Sequence, residues 1–148
     1  RELVNRVMNN DREALAEFDL EPDPDLTVDV PFDMPHAREV TSRLLQSTTR
    51  FDGVLCASDV MALAAISTFT ELGLKVPDDI AVVGYDDIAL ASYSSPALTT
   101  VRQNIRWAGR VLVESVLGLI NGDDVTDTTL QSELIVRQSS GSVRPVTD

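Results

Sequence analysis

The sequence predicts a doubly wound α/β fold, because strand-sized apolar runs alternate with helical patterns. Two such runs, 54–57 and 80–83, are apolar at every position and lack the alternation of a half-exposed strand. The first run is followed directly by Ser58-Asp59, and the second is followed two residues later by Asp86-Asp87. Strands that are apolar on both faces and alternate with helices are typical of a parallel sheet covered on both sides. We therefore expect a parallel sheet with helices on its faces.

The composition fits an ordinary globular chain. The 148 residues correspond to one domain or a large part of one, and 43% of them are hydrophobic and 24% charged. The net charge of −12 is opposite to what a phosphate backbone attracts, which excludes this chain as a nucleic-acid-binding surface. Its longest apolar runs fall far short of a membrane span of about 20 residues. A single cysteine excludes an internal disulfide and a multi-cysteine zinc site.

The first fifty residues predict two helices and one short strand. Apolar residues in 3–18 recur near helical spacing, and the proline-containing segment 21–25 ends that helix. In 27–30, Val28 and Val30 alternate with polar residues, which predicts a half-buried strand. A second amphipathic helix is predicted around Ala37, Val40 and Leu44.

The rest of the chain continues the alternation. A helix is predicted up to Leu72, where Gly73 ends it with Leu74 as a hydrophobic C-cap contact. A short strand follows at 98–101, and 107–120 forms a helix that is apolar over most of its circumference. Gly122 ends that helix, and 134–136 is the last strand. A helix that is apolar nearly all round needs to be covered, and we expect the covering elements upstream of Arg1, which is not an initiator methionine.

Two positions in this pattern are candidates for ligand binding. In open parallel sheets, ligands bind beyond the carboxyl ends of the strands, where Ser58-Asp59 and Tyr85-Asp86-Asp87 are predicted to lie. Ser58 and Asp59 also suit the N-cap of the following helix. Asp86 is either a turn carboxylate or an acceptor for two hydrogen bonds from vicinal hydroxyls or amines. Spacing alone leaves these alternatives open.

Catalytic signatures are absent from the sequence, and the chain is therefore predicted not to be an enzyme and to need no cofactor or metal. No phosphate-binding glycine loop, nucleophile elbow or zinc-protease motif occurs. The single histidine, His36, is predicted at the surface or at a helix start, and Cys56 is predicted to be buried and inert. Phe32 is an aromatic residue in a loop just past a strand, where it is either a pocket wall or a core residue. Trp107 is predicted to pack in the core.

Three sequence blocks in order resemble one known family. They read Ser-Asp-Val-Met-Ala-Leu-Ala-Ala at 58–65, Glu-Leu-Gly-Leu-Lys-Val-Pro-Asp-Asp-Ile-Ala-Val-Val-Gly-Tyr-Asp-Asp at 71–87, and Pro-Ala-Leu-Thr-Thr-Val-Arg-Gln at 96–103. Together they are similar to the effector-binding core of the LacI/GalR family of bacterial transcriptional repressors, which itself resembles periplasmic sugar-binding proteins. The resemblance runs from about Ala14 to Arg137.

The resemblance implies an architecture of two α/β subdomains joined by crossover strands, with the effector between them. Residues 1–148 would then be the C-terminal portion of the effector-binding and dimerisation domain. The helix-turn-helix DNA-binding domain and the first part of the effector domain would be absent from this chain. It further implies a cytoplasmic homodimer without membrane contact. Such a dimer would bind a small-molecule effector, a sugar or nucleoside-like metabolite, and would reach operator DNA only through the absent domain.

The resemblance also assigns roles to individual residues. Asp86 matches the family's effector-contacting aspartate, and Ser58 stands where members often have an asparagine before an aspartate, here Asp59. The other predicted effector contacts are Phe32, which matches a stacking aromatic, Ile105, which matches a pocket-wall position, and Arg6, which lies one position from the family's arginine. Asn10-Asp11 replaces the Gly-aromatic pair that follows that arginine in the family. The helix beginning near Asp59 and the segment around Tyr93 resemble the family's dimer contact.

Two alternatives share features with a repressor module. A periplasmic receptor that delivers sugar to a transporter has the same fold and pocket, and a different N-terminal segment would separate it from a regulator. The block at 76–87 favours the regulator. A doubly wound enzyme is disfavoured by the lack of a phosphate loop or nucleophile.

Overall fold

The computed structural model describes residues 14–19, 21, 23–47 and 50–141. Two short 3-10 helices, Pro24–Leu26 and Gln138–Ser140, flank the regular elements. The helices and strands between them are α1 (Met34–Leu45), β1 (Gly53–Leu55), α2 (Asp59–Glu71), β2 (Ala81–Tyr85), α3 (Ala89–Tyr93), β3 (Thr99–Gln103), α4 (Ile105–Asn121) and β4 (Ser132–Ile135).

The four strands form one sheet in the order β1-β2-β3-β4. β1 pairs with β2, and β2 with β3, in parallel, with Val54 opposite Val82 and Gly84 opposite Thr100. β4 runs antiparallel to β3, with Ile135 opposite Thr100. The predicted α/β class with a mostly parallel sheet is confirmed.

Helix α2 supplies a larger share of the core than any other described element. The Ser58 side chain caps its first turn, and the chain leaves its last turn through Gly73, whose φ of 82° lies in the left-handed region. Leu74 N donates to Phe69 O at 2.9 Å, which closes the predicted C-cap. The buried residues of α2 are Asp59, Ala62, Ala64, Ala65, Ile66, Thr68 and Phe69. This helix buries both its small and its largest apolar side chains.

The face of the sheet toward α2 is tightly closed. Along β2, the buried residues Val82 and Gly84 alternate with half-buried ones, as they do when one face is well covered. A Cβ at Gly84 would collide with Asp59 Oδ1 and lie 3.2 Å from Ala62 Cβ, so only glycine fits there. The sequence predicted that both faces of the sheet are covered. Among the described residues, the face away from α2 is only half-buried, and Leu55 on β1 is 65% exposed.

Helix α1 packs beside α2, as its amphipathic pattern predicts. The carboxylate of Asp33 accepts a hydrogen bond from His36 N at 2.9 Å, which caps α1, and its Oδ2 contacts His36 Nδ1 at 2.8 Å. His36 therefore lies at a helix start on the surface, as predicted. Arg38 Nη1 donates to Glu71 Oε1 at 3.0 Å and joins the two helices at their exposed side.

Two early predictions differ from the structure or lie outside it. Residues 27–30 alternate in burial as predicted, with Val28 and Val30 half-buried, but they form no strand. A strand requires a hydrogen-bonded neighbour, and no described residue pairs with this segment. Most of the predicted helix at 3–18 lies outside the described residues, although 14–17 are helical.

Helix α4 forms where it was predicted but contributes nothing to the core. Its N-cap is Asn104, whose side chain accepts from Trp107 N at 3.0 Å, and none of its residues is buried. Trp107 is 40% exposed and Phe32 is 71% exposed, so the interpretation of either as a core residue is wrong. Among the described residues, no helix is long and apolar enough to cross a membrane.

Candidate functional site

The carboxyl ends of β2 and β3 and the start of β4 meet at one edge of the sheet. Because β4 is antiparallel, its first residues lie beside the last residues of β3. The meeting point encloses a cavity of about 560 Å³, within the range of small-molecule sites. Its lining consists of Asp86, Asp87, Arg102, Gln103, Asn104, Ile105, Arg106, Gln131, Ser132 and Glu133. This is the edge at which the sequence predicted ligand binding.

Asp86 faces this cavity from the loop after β2. Its backbone N donates to Val101 O at 2.9 Å, and its Oδ1 accepts from Gln103 Nε2 at 3.3 Å. Among the described residues, no group donates to its second oxygen, Oδ2. The residue has a φ of 107°, a backbone conformation that is costly for any residue other than glycine and that clusters at functional sites. Asp86 therefore offers a carboxylate oxygen to whatever enters the cavity.

The neighbouring Asp87 also lines the cavity, but both oxygens of its carboxylate are engaged by protein. Its Oδ1 lies 2.7 Å from Arg137 Nη2, and its Oδ2 lies 2.7 Å from Arg102 Nε. Burial by itself would raise the pKa of the Asp87 carboxyl, but the hydrogen bonds from Arg137 and Arg102 outweigh it and hold that pKa below its usual range. Asp86 and Asp87 thus act separately, in agreement with the sequence analysis, which did not assign them as an acid/base pair.

Asp59 anchors the same loop from below. It is fully buried at the start of α2, where its Oδ1 accepts from the Thr100 hydroxyl and its Oδ2 accepts from Ile88 N at 2.8 Å. Thr100 is itself buried on β3. The close approach of α2 at Gly84 brings the Asp59 carboxylate within reach of both partners. Its two oxygens satisfy protein donors, so the structure shows Asp59 as a support of the loop.

The remaining predicted site residues are distributed as follows. Ile105, the first residue of α4, lines the cavity and is 68% exposed. Ser58 is buried and its Oγ accepts from Met61 N at 3.3 Å, so the capping alternative describes its contact. Neither Ser58, Asp59 nor Phe32 is among the lining residues of the cavity. Arg6 lies outside the described residues. Effector contact stays a prediction for all six residues, including Asp86 and Ile105.

The cavity suits reversible binding of a polar ligand. It combines carboxylates, guanidinium groups and amides with one apolar side chain, Ile105. Cys56, the one thiol, is buried inside the sheet region, and burial, with a smaller effect of the Asp59 charge, raises its pKa to about 12. In the part of the chain that the structure describes, no group of three or more His, Cys, Asp or Glu side chains could hold a metal ion.

Sequence reasoning missed several lining residues. Arg102 and Gln103 end β3, and Gln131 and Glu133 flank the start of β4. The polar end of the predicted strand at 98–101 was a usable signal for the first pair, because a third parallel strand ends at the same edge of the sheet. No local signal existed for the second pair, since the antiparallel return of β4 depends on tertiary structure.

A comparison with known families assigns this fold. The model of the periplasmic binding protein-like domain matches residues 5–140. The chain belongs to that family. Its relatives place it with the LacI/GalR group of transcriptional repressors, as the sequence blocks predicted.

Individual relatives agree with this assignment. The HTH-type transcriptional repressor PurR of Aliivibrio salmonicida is 40% identical over 104 residues, which are 70% of this chain and 31% of that repressor. The solved complex of the transcriptional regulator CelR with cellobiose has a TM-score of 0.80 at 34% identity, covering 86% of this chain and 40% of CelR. A LacI-family regulator structure from Sanguibacter keddieii has a TM-score of 0.79 at 34% identity, covering 88% of this chain and 50% of that one. The chain spans half or less of the length of each.

Proposed function

We propose that this chain is the effector-binding and dimerisation part of a transcriptional regulator, with the effector held at the Asp86 cavity. The observation that carries the proposal is the Asp86 carboxylate. It is fixed by a strained loop, and none of the described residues donates a hydrogen bond to one of its two oxygens. A charged oxygen held in place but unused by the protein is suited to hydrogen bonds from a ligand. The repressor relatives support the regulatory role.

The chemistry of the cavity supports a neutral, hydroxyl- or amine-bearing effector. Asp86 Oδ2 accepts hydrogen bonds, and the Gln103 amide both donates and accepts. Ile105 offers an apolar surface to the face of a sugar ring or base. CelR, a structural neighbour, was solved with cellobiose, which is a ligand of this hydroxyl-rich type.

The connection of the cavity to α4 supports allosteric control. β3 leads from the cavity into α4, and β4 leads back from it. An effector that binds one arrangement of these strands better than another shifts the equilibrium between them, with a typical coupling free energy of about 1–3 kcal/mol. In the complete regulator this shift would change the affinity for operator DNA through a helix-turn-helix domain. The dimer would form through α2 and the segment of Tyr93, which is 83% exposed.

The proposed protein is cytoplasmic and binds its effector without converting it. A transport receptor is not favoured, because the relatives with matching sequence are named as transcriptional repressors. An enzyme would change the ligand, so recovery of an unaltered effector after incubation is the expected result.

The central test is binding by the native protein and its Asp86→Ala variant. Cellobiose, other sugars and purine nucleosides are screened by thermal shift, and hits are measured by calorimetry. Asp86→Ala is expected to weaken the binding of each hit by at least about tenfold, since a charge-assisted hydrogen bond contributes about 1.5–3 kcal/mol. The matched control is Asp78→Ala, an exposed aspartate outside the cavity, which should bind as the unmodified protein does. Unchanged affinity in Asp86→Ala would remove the site from this cavity.

A further inference from the structure

We propose that Asp87 is the residue that positions the effector-binding loop on the two strands leading to and from α4. Its carboxylate bonds Arg102 on β3 and Arg137 just after β4, while its backbone belongs to the loop that carries Asp86. The role of this contact in effector binding rests on the proposed function. The contribution of the contact to the position of the loop does not, so the positioning role and the proposed function can be tested separately.

The loop needs external support because its backbone is strained. Asp86 and Asp87 have φ values of 107° and 50°, and both lie in the region that favours glycine. Non-glycine residues persist in such conformations when surrounding contacts over-determine them. Two consecutive residues of this kind make the loop dependent on its hydrogen bonds.

Backbone contacts fix the loop to β3 and α2. Three successive amides donate outward: Asp86 N to Val101 O at 2.9 Å, Asp87 N to Thr100 Oγ1 at 3.4 Å, and Ile88 N to Asp59 Oδ2 at 2.8 Å. None of these bonds reaches β4. They hold the loop on β3 and α2, so its position relative to β4 depends on the pairing of β3 with β4 and on side-chain contacts.

The Asp87 side chain supplies the missing connection. Arg137, on the far side, is itself fixed, since its Nη1 donates to Leu98 O and its N donates to Thr99 Oγ1, each at 2.8 Å. The side chains of Asp87 and Arg137 are only 10% and 17% exposed, so solvent screens their interaction weakly. Arg102 completes the connection from β3. One carboxylate thus joins the loop, the outgoing strand and the returning strand.

The substitution Asp87→Asn removes this connection with little change in shape. A carboxylate accepts from both guanidinium groups, whereas an amide presents one oxygen and turns its NH2 group toward the other arginine. The loop would then keep its backbone bonds, while its side-chain link through Arg102 and Arg137 to β3 and the end of β4 is weakened. Movement of Asp86 on effector binding would be transmitted less to β4.

Hydrogen exchange of the native protein tests this inference without a ligand. In Asp87→Asn, the amides of Asp87 and Ile88 and those of β4 should exchange at least about tenfold faster, while the amides of α2 stay as protected as before. The matched control is Asp86→Asn, the same substitution one residue earlier. It should leave β4 unchanged because, among the described residues, the Asp86 side chain bonds only Gln103 on β3. Unchanged protection of the loop and β4 in Asp87→Asn would overturn the proposal.

A second variant keeps the test decisive if Asp87→Asn unfolds. Arg102 is 48% exposed, so Arg102→Gln should fold, and it removes the β3 half of the connection. Faster exchange at Asp87 and Ile88, with α2 protected, supports the proposal, and unchanged exchange there contradicts it. With cellobiose or another hit as the probe, loss of binding in Asp86→Ala but full binding in Asp87→Asn would reject the positioning role and keep the proposed function. Loss of loop protection in Asp87→Asn, together with unchanged binding in Asp86→Ala, would support the positioning role and reject the proposed function.

Discussion

Helices α2 and α4 are both rich in apolar residues, yet only α2 belongs to the core. α2 has seven buried residues, and α4 has none. Both have regular caps, with Ser58 and Asn104 accepting from the amide three residues on. Caps and apolar content therefore explain why each helix forms. They do not determine whether a helix finds a surface to cover.

The difference lies in the surface that each helix meets. α2 presents small side chains, Ala62 and Ala65, to a strand that carries Gly84, and the two backbones approach closely. α4 carries large side chains that remain exposed, at 66% for Leu112 and 74% for Ile120. An apolar helix without such a matching surface is typical of an interaction site. The apolar residues of a helix thus indicate that it needs to be buried. Whether it is buried depends on how well a neighbouring element fits against it.

The largest expected effect comes from one substitution made in both helices. Ile66→Ala in α2 removes a side chain that is 4% exposed and should lower the free energy of unfolding by about 2–5 kcal/mol. Ile120→Ala in α4 removes a side chain that is 74% exposed and should change it by no more than about 0.5 kcal/mol. Urea denaturation of the two variants measures both values. An equal loss of unfolding free energy in both variants would mean that Ile120 is buried in solution, and that α4 does not differ from α2 in burial.

A smaller effect is expected at the closest approach of α2 to the sheet. Gly84→Ala adds a methyl group against Asp59 Oδ1, and relief requires α2 or the Asp59 carboxylate to move, at a cost of about 1–3 kcal/mol. The control is Gly109→Ala in α4, where a Cβ meets nothing within 4 Å and which should gain helix propensity. Thermal denaturation of both variants tests the difference. A stable Gly84→Ala protein would show that the contact between α2 and β2 is looser than described.

The smallest effect on stability is expected for substitutions that make α4 polar. These substitutions are expected to change the self-association of the chain instead. The isolated 148-residue chain should self-associate through α4, and Leu112→Lys with Val116→Lys should reduce this while changing stability by no more than about 0.5 kcal/mol per site. Thr128→Lys with Thr129→Lys gives the same charge change in an exposed segment and should leave association unchanged. Light scattering over a range of protein concentrations measures the association of each variant. A monodisperse monomer before any substitution would refute the expectation.

The sequence predicted the local features of the fold and the edge of the sheet at which the cavity lies. The strands around Val54, Val82 and Thr100, the stop at Gly73 and the shared edge of the ligand loops all follow from periodicity and turn residues. The pairing of β4 against β3 did not follow, because strand direction depends on contacts distant in sequence. The strand predicted at 27–30 was wrong for the same reason, as alternation indicates a half-buried segment but cannot supply its neighbour.

The roles of the acidic residues were partly predictable. Asp86 was selected by its position after β2, and it lines the cavity. The sequence could not distinguish it from Asp59, which also follows a strand, because burial depends on how closely α2 approaches β2. Asp87 was recognised only as a neighbour of Asp86. Its two arginine partners are 15 and 50 residues away along the chain.

The burial of Asp59 has a consequence for redesign of the ligand preference. Its carboxylate holds Thr100 and the Ile88 amide from beneath the loop, whereas Asp86, Gln103 and Ile105 face the cavity. The contacts of Asp59 that support the loop are thus separate from the groups that would read the ligand. A library built at Asp86, Gln103 and Ile105, with Asp87 and Arg102 left unchanged, can explore new small molecules for a biosensor while the scaffold below keeps its geometry.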